Sequence, residues 1–293
     1  MNSYKLSSKE ILEWRTKQLT IGGDKASLDW LLDLGGGLRW SDLQNLYLDD
    51  SKSCHLSKTL DELSSIWRLH LDEKIPLQYL LKICPWRDFE VLVTPAVMIP
   101  RQDTELLIDI ALEKIKNSRE GIWADLGSGS GVLAIALARS LANWEGHVVD
   151  INKESLSIAQ SNLQSLVSDA KYTLHLGKWW EPLKPWWGNL NLVVSNPPYI
   201  PSSILSKLDP FVYLNEPHLA LSGGFDGLDC LREIIAGSID GLSNGGCLIL
   251  EHHYDQSEEV LNLMKGTGLV DINFERDLQG VKRFAIGFKN LES

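Results

Sequence analysis

The chain has 293 residues, of which 44% are hydrophobic and 23% are charged, and its formal net charge at pH 7 is −11. This composition is typical of a folded globular protein with room for two domains, and it excludes a disordered chain. Residues 1–85 carry 11 basic and 12 acidic side chains, whereas residues 86–293 carry 17 basic and 27 acidic ones. Because proteins that follow a nucleic-acid backbone present basic surfaces to the phosphates, we expect no direct binding of nucleic acid.

Several features of the sequence bear on its location in the cell. No apolar run approaches the ~18 residues of a membrane-spanning helix, and the first residues lack the apolar core of a secretory signal. The four cysteines show no C-x-x-C spacing, which predicts neither a metal site nor a disulfide framework. We therefore expect a cytoplasmic protein without a membrane contact or a bound metal.

Residues 1–85 predict a small helical bundle. Capping-box patterns at Ser7–Glu10 and Thr59–Glu62 each precede a stretch of helically spaced apolar residues. Shorter helical segments around residues 28–34 and 43–48 lie on either side of a run of three glycines. No catalytic motif occurs here, so the bundle is interpreted either as a recognition domain for a substrate protein or as a purely structural element.

The pattern changes at Trp86. Residues 86–101 predict a β-hairpin linker, and residues 102–293 alternate between strands and helices. The predicted strands are 122–124, 147–149, 172–176, 190–194, 247–251, 270–274 and 284–288, and the predicted helices are 104–116, 131–141, 154–166, 227–242 and 257–265. Such alternation indicates an α/β domain, with a mostly parallel sheet covered by helices on both faces.

A glycine-rich loop follows the first predicted strand of this domain and opens a helix. It runs from Asp125 to Gly131 and contains Gly127, Ser128, Gly129 and Ser130. Glycines allow close approach of the backbone, and a helix start offers unpaired N–H groups, so the loop suits the polar end of a ligand. The spacing G-x-G-x-G differs from the dinucleotide pattern G-x-G-x-x-G. An ordinary strand–turn–helix junction is the alternative interpretation.

Two aspartates suggest what this loop binds. Asp125, at the end of the strand, is placed to contact an ammonium group, and Asp150, at the end of the next strand, is placed to accept a hydrogen bond from a ribose hydroxyl. A pyrophosphate would gain nothing from Asp125, whereas a zwitterionic amino-acid tail would. The pattern therefore favours S-adenosylmethionine over NAD.

A second motif, Asn196-Pro197-Pro198-Tyr199, ends the strand-like run 190–195. Two consecutive prolines cannot continue a sheet ladder, so the chain leaves the sheet here with its carbonyl groups rigidly oriented. An amide before the turn and an aromatic ring after it suit a planar group that carries an –NH2. The alternative is a tight exit from the sheet with a solvent-facing tyrosine. Because this motif and the glycine loop both follow strands of one parallel sheet, we expect them to face the same crevice.

Taken together, these motifs resemble the bacterial release-factor glutamine methyltransferases, the PrmC/HemK family. The resemblance covers nearly all of the chain from Pro76 onward. Its motifs are Pro76–Tyr79, Ile99–Arg101, Thr104-Glu105, Asp125–Gly131, Ser195–Ile200, Glu216-Pro217, Ala220-Leu221, Gly223-Gly224, Asp226–Leu228 and Leu250-Glu251. The sequence departs from the family pattern at Gln102 and Asp103, at Lys178 where an acidic residue is usual, and at His253 where glycine is usual.

The resemblance implies a Rossmann-like, class I S-adenosylmethionine-dependent methyltransferase fold with a seven-stranded sheet. It also implies methylation of the side-chain amide nitrogen of the glutamine in the Gly-Gly-Gln loop of class I peptide chain release factors, with S-adenosylhomocysteine as the product. On this basis the substrate is bound by Asn196–Tyr199. The cofactor is bound by Gly127–Gly131, Asp150 and Asn196, and Trp179 is its aromatic neighbour. We expect the protein to act as a monomer.

For the reaction we hypothesise that Asn196 Oδ1 and the Pro197 carbonyl each accept one N–H of the glutamine amide, while Tyr199 packs on the amide plane. Such contacts would orient the nitrogen and favour the charge that develops on it. Three other functions stay open. They are adenine-N6 methylation of nucleic acid, a catalytically silent cofactor-binding or scaffolding module, and NAD-dependent oxidoreduction.

Overall fold

The computed structural model describes residues 3–48 and 52–291. Two compact units are present: Met1–Ile83 with Asp209–Asn215, and Cys84–Leu208 with Glu216–Ser293. The boundary between the units thus falls close to the end of the predicted helical domain at residue 85. The segment Asp209–Asn215 belongs to the first unit although it lies within the sequence range 102–293, and no local feature of the sequence predicts this.

The first unit is mainly helical. Its elements up to residue 83 are β1 (Tyr4–Ser7), α1 (Ser8–Ile21), α2 (Lys25–Trp30), a π-helical turn (Leu31–Gly35), α3 (Trp40–Asn45), β2 (Ser53–Leu56), α4 (Leu60–Asp72) and α5 (Leu77–Leu81). Both predicted capping boxes are confirmed, with Ser7 bonded to Glu10 at the start of α1 and Thr59 to Glu62 at the start of α4. The antiparallel pair β1–β2 is not predicted, because each strand has four residues and they lie far apart in sequence.

Side chains of the inserted segment explain why it belongs to the first unit. The ring of Phe211 lies 4.8 Å from that of His70, and Asn215 Nδ2 donates to the Lys74 carbonyl at 2.8 Å. Lys74 also places its ammonium group over the Phe211 ring. These contacts join the segment to the end of α4.

The second unit begins with a short hairpin and continues as an α/β domain. Its strands are β3 (Cys84–Trp86), β4 (Phe89–Val91), β5 (Ile122–Leu126), β6 (Glu145–Asp150), β7 (Tyr172–Leu176), β8 (Leu190–Ser195), β9 (Leu242–Glu251), β10 (Val270–Arg276) and β11 (Lys282–Phe288). The helices that follow α5 in the chain are α6 (Glu105–Lys114), α7 (Val132–Ser140), α8 (Lys153–Leu166), α9 (Pro210–Tyr213, in the first unit), α10 (Asp229–Gly241) and α11 (Ser257–Thr267). In the ranges that the structure describes, no helix is long and apolar enough to cross a membrane.

The hairpin is shorter than the predicted one over residues 86–101. Only Cys84–Trp86 pairs with Phe89–Val91, and the chain from residue 92 to residue 101 forms no strand. Two prolines in that stretch, Pro95 and Pro100, lack the N–H that a ladder requires. The loop is instead fixed by Trp86, whose indole N–H donates to the Arg101 carbonyl at 2.9 Å.

The central sheet confirms the predicted fold class. Its seven strands have the order β10-β11-β9-β8-β5-β6-β7. The five strands from β9 to β7 are parallel, and β11 is antiparallel to both β9 and β10. Apolar side chains of α10 and α11 pack with those of the sheet strands in one buried core. The predicted sequence of strands and helices is therefore correct, with shifts of a few residues at the ends.

The order of the strands defines where a ligand can bind. The chain moves from β5 outward to β6 and β7 and then returns to place β8 on the other side of β5. Ligands of open α/β sheets bind beyond the carboxyl ends of the strands at such a switch point. Here Ser195, the last residue of β8, donates its hydroxyl to the Leu126 carbonyl at the end of β5, at 2.5 Å. The residues that follow β5 and β8 therefore begin side by side.

Candidate active site

A cavity of about 580 Å³ lies at this carboxyl edge and is formed by the second unit. Its walls include Gly127, Ser128, Asp150, Trp179 and Asn196. Most of the predicted site residues, including Gly129, Ser130 and Pro198, also line it. Four predicted residues do not form its wall, namely Asp125, Gly131, Pro197 and Tyr199. The structure thus joins the glycine loop and the Asn-Pro-Pro-Tyr motif in one cavity.

The glycine loop is fixed by the end of the neighbouring strand. The backbone N–H groups of Gly127 and Ser128 both donate to the Val149 carbonyl, at 2.9 and 3.0 Å. Gly127 has a φ of +79°, and a Cβ at this position would lie 3.0 Å from the Trp179 ring. Glycine is therefore required at residue 127 both by the backbone conformation and by the ring above it.

Asp150 joins the loop to the end of β6. Its carboxylate accepts the N–H of Gly129 at 2.9 Å and that of Asn152 at 2.8 Å. Burial raises the pKa of Asp150, while these backbone N–H groups lower it in part. A carboxylate has more acceptor sites than these two bonds use. Asp150 lines the cavity, so it can hold the loop and still accept a hydrogen bond from a ligand hydroxyl.

Asp125 lies behind the loop and not in the cavity wall. Its side chain is fully buried, and neither carboxylate oxygen has a hydrogen-bond partner of good geometry among the described residues. Burial raises the pKa of Asp125 to about 8, the N–H of Ala134 lowers it in part, and the charge of Asp150 raises it further. A direct contact between Asp125 and a ligand ammonium group stays a prediction.

Trp179 closes the other side of the loop. Its φ of +48° is unusual for an aromatic residue, and strained backbone of this kind is concentrated at functional sites. The indole N–H is buried and has no hydrogen-bond partner within the described ranges. The adjacent Lys178 pairs with Glu233 of α10 at 2.7 Å, and both side chains line the cavity. An acidic side chain of α10 therefore lies at the cavity beside Lys178.

The side chain of Asn196 is oriented by a chain of hydrogen bonds. Asn196 Nδ2 donates to Thr104 Oγ1 at 3.0 Å, and the Thr104 hydroxyl donates to Glu251 Oε2 at 2.7 Å. Asn196 lines the cavity, its nitrogen is turned to Thr104, and its Oδ1 accepts no hydrogen bond from the residues that the structure describes. In the sequence, Thr104 and Glu251 are marked only by the family resemblance. The only local signal was a carboxylate at the end of the apolar run 247–251.

Tyr199 does not face the cavity. Its hydroxyl donates to Glu251 Oε1 at 3.1 Å, and its ring packs against the apolar core. Burial and the charge of Glu251 raise the pKa of Tyr199 far above its ordinary value. Gln256 fixes the backbone of the same residue by donating to its carbonyl at 2.9 Å. The expected packing of Tyr199 on a substrate amide is therefore not seen in this arrangement.

The tryptophan pair Trp186-Trp187 lies outside the cavity wall. The Trp186 ring packs against His147 and His175, with centroids 4.3 and 5.2 Å away. The Trp187 indole N–H donates to the Trp180 carbonyl at 3.4 Å. Both rings therefore pack within the domain, away from the wall of this cavity.

The cavity fits a cofactor with an amino-acid tail, a nucleoside and a positive charge between them. Two buried polar groups of its wall, Ser128 Oγ and Trp179 Nε1, have no partner within the described ranges. The carboxylate of Asp150 and the aromatic face of Trp179 are suited to a ribose and to the adjoining cationic or aromatic groups. Val132 and Leu133 of the first turn of α7 line the cavity, and the N-terminus of a helix favours a carboxylate. These groups match S-adenosylmethionine.

Comparisons with known proteins agree with this site. A family model described as methyltransferase small domain matches residues 102–207. The chain is 55% identical to a release factor glutamine methyltransferase of Prochlorococcus marinus, covering 97% of both chains. It is 37% identical to a release factor glutamine methyltransferase of Synechocystis, covering 97% of this chain and 98% of that relative.

A solved structure extends the comparison to the fold alone. The hMettl16 catalytic domain in complex with MAT2A 3'UTR hairpin 6 has a TM-score of 0.55 with this chain at 14% identity, covering 82% of this chain and 84% of that chain. Fold and site together define an S-adenosylmethionine-dependent methyltransferase with a Rossmann-like domain. Within that class, the chain belongs to the release factor glutamine methyltransferase family.

Proposed function

We propose that the protein methylates the side-chain amide nitrogen of a glutamine in class I peptide chain release factors, at the Gly-Gly-Gln loop. The family to which the chain belongs and the free acceptor at Asn196 support this substrate. In this proposal S-adenosylmethionine supplies the methyl group and leaves as S-adenosylhomocysteine. The enzyme acts in the cytoplasm, for which the free state of all four cysteines is suitable, and it acts as a monomer.

The residues of the glycine loop hold the cofactor. Asp150 accepts a ribose hydroxyl, Trp179 covers the nucleoside, and the backbone of Gly127–Gly131 approaches the amino-acid tail. Asp125 acts from behind the loop, where its buried carboxyl group contributes polarity without touching the cavity. This division of roles is supported by the walls of the cavity and by the two buried polar groups that lack partners.

The acceptor half of the site orients the glutamine. An amide nitrogen is a poor nucleophile, because its lone pair is delocalised into the carbonyl group. Asn196 Oδ1 accepts one of its N–H groups, which orients the nitrogen and favours the positive charge that it gains. The second acceptor expected from the sequence, the Pro197 carbonyl, is not part of the cavity wall and has no role in this proposal. The bound S-adenosylmethionine would supply the methyl group to this nitrogen and would leave as S-adenosylhomocysteine, and the proton that the nitrogen loses would pass to solvent.

The helical first unit serves substrate recognition in this proposal. It contains none of the residues that line the cavity, and the second unit contains all of them. A protein substrate offers far more surface than one glutamine, so a separate unit can contribute affinity that the cavity does not provide. Deleting residues 1–83 would leave the segment Asp209–Asn215 without the rest of its unit. Point variants are therefore the better probe of this role.

The observation that carries the proposal is the orientation of Asn196, with Nδ2 bonded to Thr104 and Oδ1 free. The test incubates the protein with radiolabelled S-adenosylmethionine and a purified release factor. The matched control is the same release factor with Gln→Ala in its Gly-Gly-Gln loop. We expect label on the first substrate alone.

Other results of this experiment would contradict the proposal. Equal label on both release factors would place the methyl group on another residue. Label on DNA or RNA with none on either release factor would indicate adenine-N6 methylation. Cofactor binding without transfer to any of these substrates would favour the silent module.

A further inference from the structure

We propose that Glu251 is a positioning residue for methyl transfer, which fixes the direction of the hydrogen-bond chain through Thr104 and thereby turns the acceptor oxygen of Asn196 toward the substrate. This inference rests on the proposed function, because it concerns the acceptor for the substrate amide. Glu251 is fully buried at the end of β9, and it does not line the cavity. Its effect on the reaction is therefore indirect.

The donor and acceptor roles in this series of hydrogen bonds follow from the number of protons available. An ionised carboxylate only accepts hydrogen bonds, so the single proton of the Thr104 hydroxyl points to Glu251. The oxygen of Thr104 is then an acceptor, and it can bond only to the Nδ2 end of the Asn196 amide. The distances of 2.7 Å from Thr104 to Glu251 and 3.0 Å from Asn196 to Thr104 fit this sequence of donors.

A neutral partner at residue 251 would remove this constraint. A carboxylic acid or an amide can donate to Thr104, which could then donate its own proton to Asn196 Oδ1. In that arrangement the Asn196 amide is rotated, and a donor replaces the acceptor at the cavity wall. The ionised form of Glu251 is therefore the form that prepares the site for a substrate –NH2.

The same carboxylate also holds the other end of the motif. Glu251 Oε1 accepts the hydroxyl of Tyr199, whereas Oε2 accepts that of Thr104. Asn196 and Tyr199 are thus attached to one buried group on a neighbouring strand, one through each carboxylate oxygen. These two attachments restrict the backbone conformation of the two prolines between Asn196 and Tyr199.

The charges around Glu251 determine when it is ionised. Burial raises the pKa of Glu251 to about 7, and the hydrogen bonds from Thr104 and Tyr199 with the charge of Arg283 lower it, whereas Asp103 raises it. Arg283 is itself fixed by Asp277, to which its Nε donates at 2.9 Å. These groups come from the segment before α6, from the loop after β8, from the turn after β10 and from β11.

Three variants separate positioning from a general structural role. Glu251→Gln keeps the shape of the side chain and removes its charge. Thr104→Val keeps the shape of Thr104 and removes the hydroxyl, whereas Thr104→Ser keeps the hydroxyl and removes the methyl group. The measurements are kcat and KM for methylation of the release factor, and the dissociation constant for S-adenosylhomocysteine by calorimetry.

We expect Glu251→Gln and Thr104→Val each to lower kcat at least about tenfold, since each removes the group that fixes an oriented catalytic hydrogen bond. Thr104→Ser should retain most of the activity, and cofactor affinity should change little in all three variants. The decrease in kcat of the wild type below about pH 7 should be absent in Glu251→Gln. Equal losses in Thr104→Val and Thr104→Ser, or a wild-type kcat in Glu251→Gln, would overturn the inference.

A spectroscopic readout tests the inference without substrate. In protein labelled with ¹⁵N-asparagine, the side-chain NH2 signals of Asn196 are identified by their loss in Asn196→Ala. These signals should shift in Thr104→Val and Glu251→Gln and stay in place in Thr104→Ser. If the wild type shows no transfer to a release factor, the proposed function fails. If transfer occurs but neither the signals nor kcat respond to residue 251, the positioning role alone fails.

Discussion

The two halves of the active site follow adjacent strands but are stabilised in different ways. After β5, the glycine loop is held by backbone groups, with its N–H groups bonded to the Val149 carbonyl and to the Asp150 carboxylate. After β8, the substrate motif is held by side chains, through Thr104 and Tyr199 to the buried Glu251. The first half depends on conformations that only glycine adopts easily, and the second depends on the charge state of one carboxylate.

This difference has a consequence for mutation. A change in the glycine loop alters the space and the acceptors that the cofactor meets. Its effect should therefore appear mainly in the affinity for the cofactor. A change in the side-chain network leaves the glycine loop and Asp150 unaltered and turns the Asn196 amide, so its effect should appear mainly in kcat. The following variants test that separation.

The largest effect is expected from Asn196→Ala. It removes the acceptor that orients the substrate amide, and loss of one such oriented hydrogen bond lowers kcat by about 10²–10³-fold. Cofactor affinity should be nearly unchanged, because the glycine loop and Asp150 are untouched. Steady-state kinetics and calorimetry with S-adenosylhomocysteine measure the two quantities.

The matched control for this variant is Asn189→Ala. Asn189 is exposed and precedes β8, and its side chain bonds only to the Trp187 carbonyl in the described ranges. It should retain wild-type kcat. A kcat for Asn196→Ala close to that of the control would remove Asn196 from the reaction, and a large loss of cofactor affinity would contradict the separation of the two halves.

The same difference explains how much of the site the sequence predicts. The glycine loop and Asp150 lie within 26 residues of chain and follow two consecutive strands, so their pattern is local and the cavity contains most of the predicted residues. Thr104 and Glu251 are 147 residues apart. Only the sheet order, which places β9 beside β8, brings them to Asn196, and no spacing in the sequence predicts that pairing.

The second-largest effect is expected from Asp150→Ala. It removes the acceptor of the Gly129 N–H together with the expected partner of the ribose, and hydrogen bonds to charged groups contribute about 1.5–3 kcal/mol each. We therefore expect cofactor affinity to fall by about 10–100-fold, whereas kcat at saturating cofactor should fall much less. Asp150→Asn, which keeps one acceptor oxygen, should show a smaller loss, and calorimetry compares the two.

An exposed aspartate provides the control here. Asp169→Ala changes the net charge by the same amount on the exposed surface of the same unit. If Asp169→Ala weakens cofactor binding as much as Asp150→Ala does, the effect is one of overall charge. If neither variant alters the dissociation constant, Asp150 does not contact the cofactor.

The fold was easier to predict than the division into units. Strands such as Tyr172–Leu176 and helices such as Ser257–Thr267 are marked by their own apolar spacing and capping residues, which a linear reading detects. The pair β1–β2 and the segment Asp209–Asn215 are defined by partners distant in sequence. Phe211 joins the first unit because its ring meets His70, a contact that its neighbours in the chain do not indicate.

A pair of glycine substitutions sharpens the comparison within the loop. Both Gly127 and Gly129 have positive φ, +79° and +55°, but a Cβ at residue 127 would lie 3.0 Å from the Trp179 ring, and one at residue 129 would meet no atom within 4 Å. Gly127→Ala combines backbone strain with displacement of the ring, so we expect about a tenfold loss of cofactor affinity. Gly129→Ala adds strain of about 1 kcal/mol and should lower affinity only a few-fold. Quenching of tryptophan fluorescence by the cofactor measures both, and equal losses would show that the ring plays no part.

The last comparison concerns stability, not activity, and uses Asp125→Asn. Burial raises the pKa of Asp125 from 3.8 to about 8, so between these values the folded protein binds one proton more than the unfolded chain. Stability that depends on this proton is fully present below about pH 4 and is lost as the pH rises through about 8. The variant has no such proton to lose, and the other buried carboxyl groups are common to both proteins. Its Tm relative to that of the wild type should therefore increase steadily from pH 5 to pH 8.5, as measured by calorimetry without cofactor. A constant difference in Tm over this range would mean that Asp125 is ionised in the folded protein, and the space behind the glycine loop would then contain a counter-charge.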